Sequence, residues 1–289
     1  MAETKLGNVR VLGVGHLGVA VASYFNGDTL TSGLDYDPES IRDCRVDNVL
    51  QLKEFDGGFG PKIVEVLTSE RNTILDNFSG NLIFLVAQVE GRFQEAIIPP
   101  LLKILRSTGA FIGFFPIIPI GADRKRELEK VQRVKADLDM LELIDSEYIL
   151  SGSSNQRVLD INNRYYKYIW EKVVSIARVV DNSTALGISL HDIKMLTTLY
   201  GPVQVSSFTY PFVNFSIAER DLFEEVNKMP REKIKRIYMV LEIGSEVDSN
   251  DVIMFVKKIK NRLGNIDFRQ GFIHTQGNFG LILLSFGSF

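Results

Sequence analysis

The sequence holds one cysteine, Cys44, among 289 residues. A lone thiol excludes an internal disulfide and any thiolate metal cluster, and it fits the interior of a cell, so a cytoplasmic protein is expected. Histidine is nearly as scarce. His16, His191 and His274 lie far apart, and no HExxH, no His/Cys spacing and no GxSxG is present. No metal site and no Ser-His-Asp enzyme is therefore expected. A surplus of positive charge is lacking too: the net charge is −3, which speaks against a nucleic-acid partner. Long apolar runs are absent. The most apolar stretch, "GAFIGFFPIIPIGA" (109–122), is too short to cross a bilayer and is broken by Pro116 and Pro119. The opening "MAETKLGNVR" has no apolar h-region of a signal peptide. No direct membrane segment is expected.

What is present is alternation. "NVRVLGVG" is an apolar run ending in glycines, and "HLGVAVASYF" follows with helical spacing. "TLTSGLDYD" reads as a second strand. "PESIRDCRV" reads as a helix opened by Pro38, where a missing N–H is tolerated. "KIVEVLTSERNTILDNF" has the i, i+3, i+4, i+7 apolar spacing of one amphipathic helix. "NLIFLVA" and "AFIGFFPI" read as buried strands. Between them "AIIPPLLKILRSTG" reads as a helix with two prolines near its start and Gly109 as its stop. "DRKRELEKVQRVKADLDML" reads as a charged, exposed helix, and "SEYILSGSSNQRVLDINN" as a short strand and a polar loop. "RYYKYIWEKVVSIARVVDN" is a long helix, apolar all round and hence buried. After Asn182 the order becomes strand, helix, strand, strand in "RIYMVLEIGSE", "SNDVIMFVKKIKNRLG", "DFRQGFIHT" and "NFGLILLSFG". The expected fold is α/β: a Rossmann-like parallel sheet with a long central helix over 1–182, then a smaller α+β domain over 183–289.

Two turns carry candidate chemistry. Gly13-Val14-Gly15-His16-Leu17-Gly18 matches G-x-G-x-x-G between a strand and a helix. The first glycine permits a tight turn, the second lets backbone approach a phosphate, and the third lets helix pack on sheet. Asp35 or Asp37, about twenty residues on, is placed to accept from a ribose hydroxyl. An NAD-dependent oxidoreductase, or a plain strand-to-helix turn that binds nothing, are the alternatives. The second turn lies in "LVAQVEGRFQEAIIPPLL" (85–102). A phosphate loop at such a place gathers glycines, but here there are one glycine, Gly91, and two carboxylates.

In order and spacing the chain resembles the tubulin/FtsZ family over nearly its whole length. The family's opening glycine loop looks like "VLGVGHLGVAVA", the turn after its second strand like "GLDYDPESI", and its glycine-rich segment before a helix like "GGFGPKIVEVL". Its Gly-Gly-Gly-Thr-Gly-Thr-Gly signature, with a strand before and a proline-bearing helix after, is framed without a gap by "LIFLVAQVEGRFQEAIIPPLL". "GFFPIIPIGADRKRELEKVQ" is similar to its proline loop and basic helix start. The stretch 164–181 is similar to its central helix, and "RIYMVLEIGSE" through "LILLSFG" to its activation domain. The resemblance implies GTP or GDP held at Gly13, Gly15, His16, Gly18, Asp35, Asp37, Gly91 and Arg92. It further implies Asp123 and Arg126 near ribose and phosphate, and Asn162 and Tyr166 by the base. A charged helix start and domain-interface packing are the respective alternatives for these last two pairs.

The departures from the family are specific. Glu90, Gly91, Arg92, Phe93, Gln94, Glu95 and Ala96 fall on the seven signature positions, and only Gly91 remains glycine. Arg92, Phe93 and Gln94 crowd the approach to the backbone. A carboxylate ~4 Å from a phosphate charge costs about 1 to 4 kcal/mol, depending on screening, which Arg92 offsets in part. In the family an Asn-x-Asp-x-x-acid run from one subunit completes the site of the next. Here Gly187 and Ser189 replace its first two members, and only Asp192 remains as a residual catalytic acid, with His191 beside it. The sequence stops at Phe289 directly after the last expected strand, so no C-terminal adaptor tail is expected. Together these features imply a cytoskeletal or cell-division-related protein, impaired in GTP hydrolysis. It would act by self-association or on a related FtsZ/tubulin-like filament, with GTP, GDP or no nucleotide bound. An active GTPase with altered loops is the second expectation.

Overall fold

The computed structural model describes residues 6–52, 61–150, 158–181, 188–275 and 279–287. The "GGFG" segment and Gly187 lie outside the described residues. The chain divides into two compact units, 1–170 and 171–289.

The first unit runs β1 (Leu6–Val14), α1 (Gly15–Ser23), β2 (Thr29–Asp35), α2 (Pro38–Arg42), β3 (Asn48–Gln51), α3 (Pro61–Ser69), α4 (Arg71–Phe78) and β4 (Leu82–Gln88). It continues with α5 (Arg92–Arg106), β5 (Phe111–Ile118), α6 (Arg124–Val134), β6 (Met140–Leu141), β7 (Ile144–Asp145) and α7 (Ser146–Leu150). The strands lie in the order β3-β2-β1-β4-β5-β6, with β7 also on β5, and every pairing is parallel. All eight residues of β5 are buried, as in a parallel sheet covered on both faces. On one face Leu101 and Leu105 of α5 and Val131 of α6 share a core with Leu12, Leu85 and Phe114. Each such side chain is worth about 1.5–3 kcal/mol when fully buried. On the other face Phe84 meets Phe111 and Phe115, with ring centroids 6.1 and 6.0 Å apart. Fully buried Asp139 accepts from Arg106 Nη1 at 2.5 Å and from the Ile112 N–H at 2.9 Å, tying the end of α5 to β5.

Several elements differ from expectation. The helix expected over 62–78 is two helices, α3 and α4, separated by a turn at Glu70. Helix α5 starts at Arg92, so Pro99 and Pro100 lie in its interior rather than near its start. Each proline removes one i→i−4 hydrogen bond there, and packing of the apolar face holds the helix together. Residues 146–150 are a short helix rather than a strand, with Ser146 Oγ accepting from Tyr165 Oη at 2.8 Å. Strand β3 was not anticipated.

Helix α8 (Val158–Asp181) crosses the division between the units. The second unit continues with α9 (Leu190–Tyr200), β8 (Gln204–Tyr210), α10 (Phe215–Asn227), β9 (Ile234–Ile243), α11 (Ser249–Leu263), β10 (Asp267–His274) and β11 (Phe279–Gly287). Its sheet has the order β10-β9-β11-β8. β9 and β10 are parallel, with α11 connecting them, whereas β11 runs antiparallel to β9 and β8. Leu222 and Val226 of α10 and Phe255 and Ile259 of α11 pack on Met239, Leu241, Leu281 and Leu283. Among the described residues, no helix is long and apolar enough to cross a membrane.

Candidate functional site

The carboxyl ends of β1 and β4 lie side by side, with Gly13 opposite Val86 and Val14 opposite Ala87. This is the switch point at which open α/β sheets bind ligands. Two of the three motif glycines serve packing. A Cβ on Gly13 would strike the Gly18 carbonyl, and one on Gly18 would strike the Val86 carbonyl. Only bare backbone lets α1 sit down on β1 and β4 this closely. Gly15 differs, because its φ of +73° favours glycine by itself. His16 is exposed on the first turn of α1, which no side chain caps.

The second turn leaves β4 next door. Gly91 has φ +120° and precedes α5, again with no side-chain cap. Glu90 and Arg92 are exposed. Glu95 faces α6 instead, 3.7 Å from Lys130 Nζ and 3.7 Å from Arg133 Nη1. Those cations absorb part of the charge that the signature position would otherwise present to phosphate. Gln94 turns the other way. A Cβ on Gly15 would strike its Nε2, and a Cβ on Gly91 would strike its Oε1. Gln94 is one of the three residues expected to crowd this turn, though not one of the expected nucleotide contacts. Its one signal in the sequence is a long side chain where the family has glycine.

The candidate ribose and base residues are drawn into local structure. Asp35 is buried. Its Oδ1 accepts from the Tyr36 N–H at 2.7 Å and its Oδ2 from Ser40 Oγ at 2.5 Å. Asp37 caps α2 by accepting from the Glu39 N–H at 2.9 Å. Asp123 caps α6, accepting from the Lys125 and Arg126 N–H groups at 3.1 and 3.3 Å, and Arg126 is exposed. A short carboxylate before a helix satisfies orphan backbone donors in this way. Asn162 is half-buried on α8. Tyr166 Oη donates to Asp28 Oδ2 at 3.0 Å, and its ring meets Phe25 and Trp170 with centroids 4.8 and 6.0 Å apart. Phe25 follows the far end of α1, whose nine residues at about 1.5 Å each carry the chain away from Gly15. Tyr166 is thus a packing residue of that end, not a neighbour of the glycine turn.

In the second unit the segment expected as a catalytic loop becomes a helix at Leu190, with His191 exposed on its first turn. Ser189 and Asp192 form a capping box. The Ser189 N–H and Oγ donate to Asp192 Oδ2 at 2.9 and 2.6 Å, and the Asp192 N–H donates to Ser189 Oγ at 3.1 Å. The Ser189 hydroxyl, and then its N–H, hold the Asp192 carboxyl below the usual carboxylate range. Asp192 also borders a cavity of about 430 Å³ with Met195, Arg236, Tyr238 and Arg269. Burial first, and Asp192 second, push the Tyr238 phenol up, against the pull of Arg269.

The two sheets, their topology and the paired turns define a tubulin/FtsZ-like α/β fold. Solved structures similar to it include an empty FtsZ dimer from M. jannaschii, at 14% identity and TM-score 0.70, covering 96% of this chain and 88% of that one. A GTPγS-bound protofilament of CetZ2 from Haloferax volcanii matches at 15% identity and TM-score 0.69, covering 98% and 93%. A GTPγS-form protofilament of TubZ from Bacillus thuringiensis serovar israelensis matches at 11% and 0.70, covering 96% and 87%. At such identities the likeness is one of fold. No family model and no curated protein matches the sequence.

Proposed function

We propose that this chain is a tubulin/FtsZ-like cytoskeletal protein that self-associates, or caps a related filament, and hydrolyses GTP slowly or not at all. The fold supports assembly, since similar structures include a dimer and protofilaments. A head-to-tail contact of this kind builds open filaments when it does not close. One observation carries the hydrolysis half: the capping box around Asp192. The acid that matches the family's last catalytic position is committed to Ser189 at the start of α9. Its lowered pKa makes it a weaker base for water than an ordinary aspartate. The inward-facing Asp35 argues against the dinucleotide alternative, because the ribose acceptor it needs is engaged by Ser40.

The test is phosphate release from GTP by the purified protein, beside an active family member. The expected rate is at least ~100-fold below the control, the lower range of what a lost general base costs. Turnover at a rate near the control's would overturn the proposal, and its loss in Asp192→Ala would support the active GTPase with altered loops.

A further inference from the structure

A nucleotide phosphate held at these turns needs clear space over bare backbone, where N–H groups and helix N-termini face it. Gly15 and Gly91 supply the bare backbone, both at positive φ. The space they share is taken. The carboxamide of Gln94 spans it, with its nitrogen against Gly15 and its oxygen against Gly91. A group as small as a methyl on either glycine would meet the end of this side chain, so a phosphate enters only if the carboxamide moves aside. The exposed Glu90 adds negative charge at the rim. As arranged, the residues do not fit a nucleotide phosphate.

We propose that Gln94 is a built-in plug of the cradle between the two turns, and the residue that decides whether this fold takes a nucleotide. The assignment rests on the tubulin/FtsZ-like reading of the two turns. It goes further in making occupancy of the cradle, rather than loss of a catalytic acid, the first barrier to GTP. The side chain belongs to the first turn of α5 and reaches back across the turn at Gly91. Among the seven signature positions it stands where the family has its fifth, a glycine. Restoring a small residue there reopens the space without touching Gly13, Gly15 or Gly18.

The experiment titrates a fluorescent GTPγS derivative into wild-type protein, Gln94→Ala and Gln94→Met, with melting curves to confirm that each folds. Gln94→Ala empties the cradle. Gln94→Met keeps a side chain of similar length without the amide. The expected result is binding by Gln94→Ala at least about tenfold tighter than by wild type, competed by unlabelled GTP, while Gln94→Met stays like wild type. Equal affinity in wild type and Gln94→Ala overturns the assignment, and so does failure of Gln94→Ala to bind at all. If all three proteins are folded and Gln94→Met binds like Gln94→Ala, filling of the space is not the barrier and the plug is likewise overturned. Phosphate release measured on the Gln94→Ala complex separates the two proposals. Binding with turnover keeps the plug and removes the catalytic deficit, whereas binding without turnover keeps both.

Discussion

At the scale of single residues, the four aspartates that resemble site residues are engaged by nearby backbone. Asp37 and Asp123 cap helices, Asp35 closes the turn after β2, and Asp192 shares a capping box with Ser189. Replacing Ser189 with alanine removes the cap and should lower stability by about 1 kcal/mol at neutral pH in urea denaturation, within the usual 0.5–2 range. The sign of the pH effect follows from the lowered carboxyl. Its contribution is present above the ordinary value of 3.8 and is lost as pH falls through the lower folded value, so the gap between wild type and Ser189→Ala should narrow in acid. Asp192 is exposed, and solvent screening keeps that part small. The S-x-x-D pattern at 189–192 suits a cap as much as a catalytic remnant, since it sets an acid at the third residue of a helix begun after Ser189. Crowding of the second turn by Gln94 was legible beside Arg92 and Phe93, but its reach across to Gly15 was not, because that depends on β1 and β4 lying side by side.

At the scale of elements, legibility followed burial. β4 and β5 are nearly continuous apolar runs and were plain in the sequence, as were the buried half of β1, α11 and β9. β3 has four residues with one buried, and β8 mixes Gln204, Ser206 and Ser207 among its apolar positions, so neither shows a period. In α5 the prolines were misleading. Proline is well tolerated in a first turn, and tertiary packing here outweighed that preference by seven residues. A prediction belongs to the β8–α10 pair. Tyr210 at the end of β8 donates from Oη to Asp221 Oδ2 of α10 at 3.0 Å. Burial first, then Asp221, pushes its phenol well above the ordinary 10.0. The neutral form is the one the fold favours, so this stabilisation is intact below pH 10.0 and is lost as pH rises past it. Melting temperatures taken on both sides of that pH should fall more steeply for wild type than for Tyr210→Phe. Tyr165 and Tyr238 are raised by burial as well, and they cancel in this comparison.

At the scale of the whole molecule, the α/β order and the tubulin/FtsZ-like fold were both legible, because alternation of elements survives where the signature loop does not. With the cradle plugged, assembly should not respond to nucleotide. Sedimentation velocity over a range of protein concentrations is expected to show the same distribution of species with no addition, with GTP and with GTPγS. Large assemblies formed only with GTP would count against this.

The margins of the first sheet bear on how such species grow. Among the described residues it ends at one side on β3, of four residues, and at the other on β6 and β7, of two each. Strands this short offer little unpaired backbone to a neighbour. The first sheet therefore gives copies small opportunity to zip together edge on edge, whereas the second sheet ends on β10, of eight residues, and on β8, of seven. Where copies meet by a heterologous contact, each added subunit faces the same way as the last, and the product would be a track with a front and a back.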